Sequence, residues 1–498
     1  MINSGQVLVT EFNSMEKLKQ RILELENISR ELEPSEIERN EYFRQIQDYA
    51  NSFINNIDVS KTFSGRKVKR DALSLDGKKK SLRELIKTYS DEVARKGINA
   101  ASGGHLGYIP GGGIYTSALA DYIAAVTNEY AGLYYASPGA VTIENEILNW
   151  MKSIFGFPED AAGSLTSGGS TANMIALTAA RDHHRIKSDR IAGSIIYLSS
   201  QTHHCINKAL KIIGLEDVII RYSDLDKNSR IDADSLNRQI IKDKASGLNP
   251  FLIVATAGTT DTGAVDPLME IGKIARRHKL WYHIDAAYGG FFILSGLRKE
   301  LFSGIETADS LVTDPHKGLF VPYGTGAVLV KNREPVLKSY KYSASYMQDS
   351  IQSVVNIYEP ADVSPELTRH FRALRIWLPL QIHGIEPFIA CLEEKLVLTT
   401  YFRRRLTEIG FRTGPEPDLS ISYFWYPSES FDENAYNKKL LELIHKDGRV
   451  FFSSTVINRK FVIRMAILSF RTRLRTIDKA VQVINTANNK LKRSLSVR

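Results

Sequence analysis

Between about residues 140 and 330 the chain alternates apolar runs of strand length with amphipathic stretches of helical length. Periodicity predicts helices over 143–155, 172–184, 206–213, 234–241 and 269–277. Short apolar runs between them predict strands over 194–198, 218–221, 251–255 and 281–285. Few folds accept such an order. Strands joined through helices run mostly parallel, and the helices cover the sheet. In sheets of this kind ligands bind beyond the carboxyl ends of the strands, so the residues just after each strand carry the functional argument.

Two of those positions stand out. Leu280-Trp281-Tyr282 leads into His283-Ile284-Asp285-Ala286-Ala287-Tyr288, and Leu311-Val312 leads toward Asp314-Pro315-His316-Lys317. A lysine that forms an imine and an aspartate that holds a cationic ring nitrogen are the two protein groups pyridoxal phosphate needs most. Attack on an aldehyde requires the free amine, so Lys317 is expected in surroundings that lower its pKa. Ala286 and Ala287 leave room for a flat ring beside the backbone. Thr166-Ser167-Gly168-Gly169-Ser170-Thr171-Ala172-Asn173 precedes a predicted helix. Its glycines let backbone N–H groups converge, and a helix start favours an anion, so it is the best phosphate cup in the chain. The lysine and spacing of a P-loop, and the spacing of a dinucleotide fingerprint, are absent from it. His203, after the strand ending near Leu198, is placed to stack on a cofactor ring and to touch a substrate carboxylate. Its neighbour His204 comes without regularly spaced partners, so no metal site is expected.

With 498 residues and 43% hydrophobic composition, the chain is long enough for at least two domains. The net charge of +9 is partly clustered, at Arg66 to Arg70, Lys78 to Lys80 and Arg471 to Arg475. No zinc finger or aromatic-rich single-strand motif accompanies these clusters, so they read as a solvated basic face and no nucleic-acid partner is expected. No run approaches the ~18 to 20 apolar residues of a membrane span, and no membrane partner is expected. The first 30 residues are too polar for a secretory signal. Two cysteines fit a reducing, cytoplasmic setting. Met15, Leu18, Ile22 and Leu25 make an apolar stripe in an N-terminal stretch that looks unable to bury it alone. Gly103 to Gly113, with His105, Tyr108 and Pro110, reads as an ordered loop. Residues 343–366, which include Tyr358, read as a mobile connection or a lid. Beyond them, helices are expected over 370–380 and 386–404. A smaller α/β unit follows, with strands over 421–425 and 461–466 and helices over 434–445 and 476–491.

The strings around Asp285, Lys317 and Gly168 resemble those of the group II pyridoxal-phosphate-dependent decarboxylases, which include aromatic-L-amino-acid, glutamate and tyrosine decarboxylases. Ala255-Thr256-Ala257-Gly258-Thr259-Thr260, Ser137-Pro138 with Glu144, and Lys460-Phe461-Val462-Ile463-Arg464 extend the likeness over most of the chain. The resemblance implies an α/β fold of type I, active as a homodimer with the cofactor near the subunit interface. It implies an N-terminal helical segment over 1–115, a large cofactor domain over 116–376 and a small C-terminal domain over 377–498. It casts Lys317 as the lysine that holds pyridoxal phosphate, Asp285 as the ring-nitrogen partner, and His203 and Ala287 as the residues on the two ring faces. Gly168, Gly169 and Ser170 match phosphate contacts, His316 precedes the lysine as in the family, and Thr260 resembles the threonine near the ring hydroxyl. Tyr358 resembles the loop tyrosine that returns a proton after carbon dioxide leaves. Tyr108, Tyr115 and His105 fall where the substrate pocket opens. The implied reaction converts an L-amino acid to its amine and carbon dioxide, with an aromatic side chain slightly favoured. Three departures keep a carbon–carbon lyase like the sphingosine-phosphate lyases, or an aminotransferase using Arg464, open as alternatives. Gly318 stands where tryptophan is usual, Asp314 where asparagine is usual, and the phosphate loop carries Gly-Gly in place of serines.

Overall fold

The structure of the chain, a computed structural model, describes residues 14–341, 359–428 and 431–496. It divides into two compact units, Met1–Ser60 with Arg66–Gly97, and Lys61–Gly65 with Ile98–Arg498. The first unit is helical: α1 (Met15–Ser29), α2 (Glu36–Asn55) and α3 (Leu82–Tyr89). Ser14 caps α1 by accepting from the Lys17 amide, and Ser35 with Glu38 and Ser81 with Glu84 form capping boxes on α2 and α3. No residue of these three helices is buried. Their ends are well specified, but the apolar stripe remains exposed.

The second unit holds helices α4 (Tyr115–Thr127), α5 (Pro138–Phe155), α6 (Gly169–His183), α7 (Cys205–Ile212), α8 (Ala233–Ala245) and α9 (Leu268–His278). Next come the short α10 (Pro315–Gly318), then α11 (Arg333–Tyr340), α12 (Leu374–His383), α13 (Glu386–Glu408), α14 (Glu433–Asp447) and α15 (Leu474–Ser496). Its main sheet has seven strands: β1 (Ala162–Thr166), β2 (Ser194–Ser199), β3 (Ile219–Ser223), β4 (Asn249–Thr256), β5 (Trp281–Asp285), β6 (Ser310–Thr313) and β7 (Gly326–Val330). Their order is β1-β7-β6-β5-β4-β2-β3. Only β7 runs against the rest, pairing antiparallel with β1 and β6. A second, antiparallel sheet of four strands, β8 (Arg412–Thr413), β9 (Ile421–Trp425), β10 (Ser453–Ile457) and β11 (Lys460–Ala466), has the order β8-β9-β11-β10. The first of these sheets is the mostly parallel, helix-covered sheet that the alternation predicts.

Why the strands read as continuous apolar runs is visible in the packing. Ile195, Tyr197, Ile253, Ala255, Leu311 and Leu329 enter one core. Their chain neighbours Ile196, Leu198, Leu252, Val254, Val312 and Val328 enter a second core that also receives Ile175, Ala176 and Ala179 of α6. Alternate side chains leave a strand on opposite faces, and here both faces are covered. The strand over 281–285 matches its predicted limits, and most other elements extend a few residues past theirs. Helix α5 begins at Pro138, whose fixed φ and missing N–H suit a first helical turn. Strands β1 and β7 had no strand prediction. Both are short runs that contain a glycine, and only pairing across the sheet makes them strands.

Candidate active site

Five chain segments converge beyond the strand ends. Strand β1 ends at Thr166 and gives way to Gly168, the N-cap of α6. Strand β2 ends at Ser199, just before His203, and β4 ends at Thr256, just before Thr259 and Thr260. In the β4–β5–β6 ladder Thr256 lies opposite Asp285, and Asp285 opposite Val312. Strand β6 ends at Thr313, and α10 then carries His316 and Lys317. The segments line one cavity of about 680 Å³, which includes Gly168, Gly169, Ser170, His203, Thr260, Asp285, Ala287, His316 and Lys317. His105 and Tyr108 line it too. Tyr115 does not: it opens α4 and is 43% exposed. Tyr358 lies outside the described residues.

Asp285 is buried at the foot of the cavity. Its Oδ1 accepts from the Ala287 amide at 3.1 Å and its Oδ2 from Asn173 Nδ2 at 3.2 Å. Burial pushes its carboxyl up, the Ala287 amide and Lys317 pull it down, and the net shift is upward. A cationic ring nitrogen beside it would relieve that burial penalty. Asn173 ends the glycine string, and its role comes only from contacts distant in the sequence. Its Oδ1 lies 2.7 Å from His283 Nε2, while His283 Nδ1 lies 2.8 Å from Ser310 Oγ, which also accepts from Trp281 Nε1 at 2.8 Å. Burial drives the His283 pKa down to about 3, so the ring is neutral. With Nε2–H donating to Asn173 Oδ1, the Asn173 amide N–H is left to face Asp285. The chain Trp281–Ser310–His283–Asn173–Asp285 thereby orients a carboxylate that must accept.

Lys317 departs from its expectation. Burial pulls its ammonium down, but Asp314, aided by Asp285 and Cys205, outweighs that pull and the net shift is upward. The cause is close: Lys317 Nζ lies 2.8 Å from Asp314 Oδ2, and Asp314 is almost fully buried. The sequence showed the acid beside the lysine, but only the turn of α10 brings the carboxylate back onto the amine. His316 donates from Nδ1 to the Thr325 carbonyl at 2.6 Å, and burial lowers its pKa. At His203, burial likewise lowers the pKa, Asp285 opposes it, and the ring Nδ1 accepts from the Cys205 amide at 3.3 Å.

Gly168 has φ +152 and leads into the first turn of α6, where the amide N–H groups of Gly169 and Ser170 have no partner within the helix. The glycine loop over 103–113 docks on the small sheet's side. Leu106 N donates to Phe451 O at 2.8 Å, and Ala466 N donates to Leu106 O at 2.8 Å. At Gly111 a Cβ would stand 2.2 Å from the His316 carbonyl, so only glycine lets this loop pass the lysine segment.

The opposite wall contains Arg464, on β11. Its Nε donates to the Thr260 carbonyl at 2.7 Å, and its Nη1 donates to Tyr108 O at 3.1 Å and Ser453 Oγ at 3.0 Å. Its Nη2 is buried without a hydrogen-bond partner, on a side chain that lines the cavity. One nitrogen of a buried guanidinium on the cavity wall therefore keeps its N–H donors unpaired.

A family model described as the pyridoxal-dependent decarboxylase conserved domain matches residues 67–425. An aromatic-L-amino-acid decarboxylase of Bacillus atrophaeus is 35% identical over 384 residues, 76% of this chain and 79% of that protein. Tryptophan decarboxylase 2 of Oryza sativa subsp. japonica is 28% identical over 426 residues, 82% of this chain and 86% of that protein. Among solved structures, Oryza sativa TDC with PLP and tryptamine superimposes with a TM-score of 0.86 at 21% identity, covering 92% of this chain and 99% of that one.

Proposed function

The chain belongs to the pyridoxal-dependent decarboxylase family, and from that premise we propose that it removes the α-carboxylate of an aromatic L-amino acid as carbon dioxide and leaves the amine. The observation that carries the reading is the meeting of Lys317 and Asp285 in one cavity, at the ends of neighbouring strands. The residues present fit the family's cofactor. A buried carboxylate held ready as an acceptor, a lysine amine, and a helix start opened by two glycines match a ring nitrogen, an aldehyde and a phosphate. Pyridoxal phosphate, when bound, supplies the electron sink for the pair left as carbon dioxide departs.

In this reading Lys317 would hold the cofactor through its aldehyde and would yield it to the substrate amine. Asp285 would hold the ring nitrogen protonated. His203 and Ala287 would lie beside the ring, Gly168, Gly169 and Ser170 would take the phosphate, and Thr260 and His316 would contribute at the ring and phosphate ends. Arg464, through Nη2, orients the substrate carboxylate. His105 and Tyr108 line the substrate end, and His203 or Tyr358 returns the proton to the α carbon. The aromatic preference is supported by the two relatives named above and by Tyr108, Tyr288 and Tyr323 on the cavity wall. Tyr115 opens α4 and is not among the residues that line the cavity. With Leu119, Tyr122, Ile123 and Val126 it forms an exposed apolar stripe along α4 at helical spacing, which supports a homodimer. Both cysteines are buried and free, which is compatible with a reducing cytoplasm. Among the described residues no helix is long and apolar enough to cross a membrane.

The test is carbon dioxide release from L-tyrosine, L-tryptophan and L-phenylalanine, followed with the visible absorbance of the protein and repeated with Lys317→Ala. Amine and carbon dioxide from at least one of them, and a visible band absent from the variant, are expected. A band without carbon dioxide would move the assignment to a lyase or aminotransferase.

A further inference from the structure

The carboxylate of Asp314 occupies an unusual place. It lies against the start of α6: a Cβ built on Gly169 would stand 3.0 Å from Asp314 Oδ2, and one on Gly326 2.8 Å from Asp314 Oδ1. Oδ2 is taken by Lys317 Nζ at 2.8 Å, with His316 Nε2 farther off at 3.7 Å. Oδ1 is buried and has no hydrogen-bond partner. One carboxylate oxygen is thus neutralised by the lysine, while the other is an unsatisfied acceptor set among glycine backbones.

We propose that Asp314 is an electrostatic brake on the phosphate half of the cofactor, its carboxylate sharing the glycine cup with the anion that the cup receives. The inference rests on the pyridoxal phosphate reading and adds to it a determinant of cofactor retention. A helix start attracts an anion, but two anions sharing it repel each other, and the Asp314 carboxylate, almost fully buried, is poorly screened by solvent. In the same side chain, Asp314 holds Lys317 as an ammonium. Loading therefore works against Asp314 twice, once at the phosphate and once at the amine. The two effects separate chemically: the amine effect acts on any pyridoxal aldehyde, and the phosphate effect only on the phosphorylated one.

The experiment uses the full-length protein freed of cofactor, titrated with pyridoxal 5′-phosphate and with pyridoxal, as wild type and as Asp314→Asn. Affinity is read from the visible absorbance and from quenching of protein fluorescence, not from turnover. The ratio of the pyridoxal Kd to the pyridoxal phosphate Kd is expected to rise about tenfold or more in Asp314→Asn, because an amide keeps the shape and removes the charge. A shift equal for both probes would mean that Asp314 acts only through Lys317, and would overturn the proposal. So would a ratio that falls, which would make the carboxyl a phosphate ligand. Should the asparagine variant fail to fold, judged by its circular dichroism, Asp314→Ser is measured in its place. A wild type that binds neither probe would sink the cofactor reading itself, a result distinct from a wild type that binds both with an unaltered ratio in the variant.

Discussion

Replacing Arg369 by methionine should destabilise the protein more than replacing Arg369 and Glu144 together. Both side chains are essentially inaccessible, at 0% and 1% exposure, with Arg369 Nη2 2.9 Å from Glu144 Oε1. They also clamp one backbone residue: Glu144 accepts from the Leu165 amide at 3.2 Å, and Arg369 donates to the Leu165 carbonyl. Leu165 is next to Thr166, where β1 hands over to the glycine cup. Removing the guanidinium leaves a buried carboxylate with only the Leu165 amide, and breaking such a pair costs about 3–5 kcal/mol. In Arg369→Met with Glu144→Gln no charge is stranded, and part of that loss, about 1–4 kcal/mol, should return. The pH dependence follows from Glu144. Burial pushes its carboxyl above the usual value even against Arg369, so folding favours its protonated form. A carboxyl raised in the folded state adds stability below its unfolded pKa and loses it as pH rises through the folded pKa. Without Arg369 the rise is larger, so the single variant should be least impaired near pH 4 to 5 and increasingly impaired toward pH 8. The double variant should lack that added slope. Thermal unfolding midpoints of both variants across this range are the assay. A single variant within about 1 kcal/mol of wild type, or a double variant worse than the single, would refute the reasoning.

Three other outcomes follow, two from the site and one from α4. Asn173→Ala strands the His283 Nε2–H and removes the Asn173 donor to Asp285. At about 1.5–3 kcal/mol for a hydrogen bond to a charged group, it should weaken cofactor affinity about tenfold or more, measured by absorbance titration. Arg464→Met should lower kcat/KM for the amino acid about a hundredfold, mainly through KM, while cofactor affinity stays nearly constant. Equal losses in both would place Arg464 outside substrate recognition. Tyr122→Glu combined with Ile123→Glu should convert a dimer to monomers, read by analytical ultracentrifugation. An unchanged sedimentation coefficient would remove α4 from the interface.

Much of the architecture was legible in the chain itself. Apolar runs such as 251–255 and 281–285 can be satisfied only between two covered faces, and the helical stripes between them supply the cover. That local chemistry determined the mostly parallel sheet, and with it the strand-end positions of Asp285, His203 and Lys317. The direction of β7 and the existence of β1 were not legible. A short apolar run carries no polarity of its own, and only its neighbours across the ladder decide which way it runs. Asn173 shows the same limit at the site, since its hydrogen-bonded partners, Cys205, His283 and Asp285, all lie far along the chain.

Tyr115 and Lys317 mark the boundary most clearly. Both sat in recognisable strings, yet Tyr115 is not among the residues that line the cavity, and Lys317 is paired with Asp314. Sequence by itself determined which residue types were available and which strand ends would carry them, because periodicity and turn chemistry act over a few residues. Tertiary structure alone decided direction, distance and protonation. Those depend on what packs across the cavity, such as the Asp314 carboxylate set at once against Lys317 and the glycine cup.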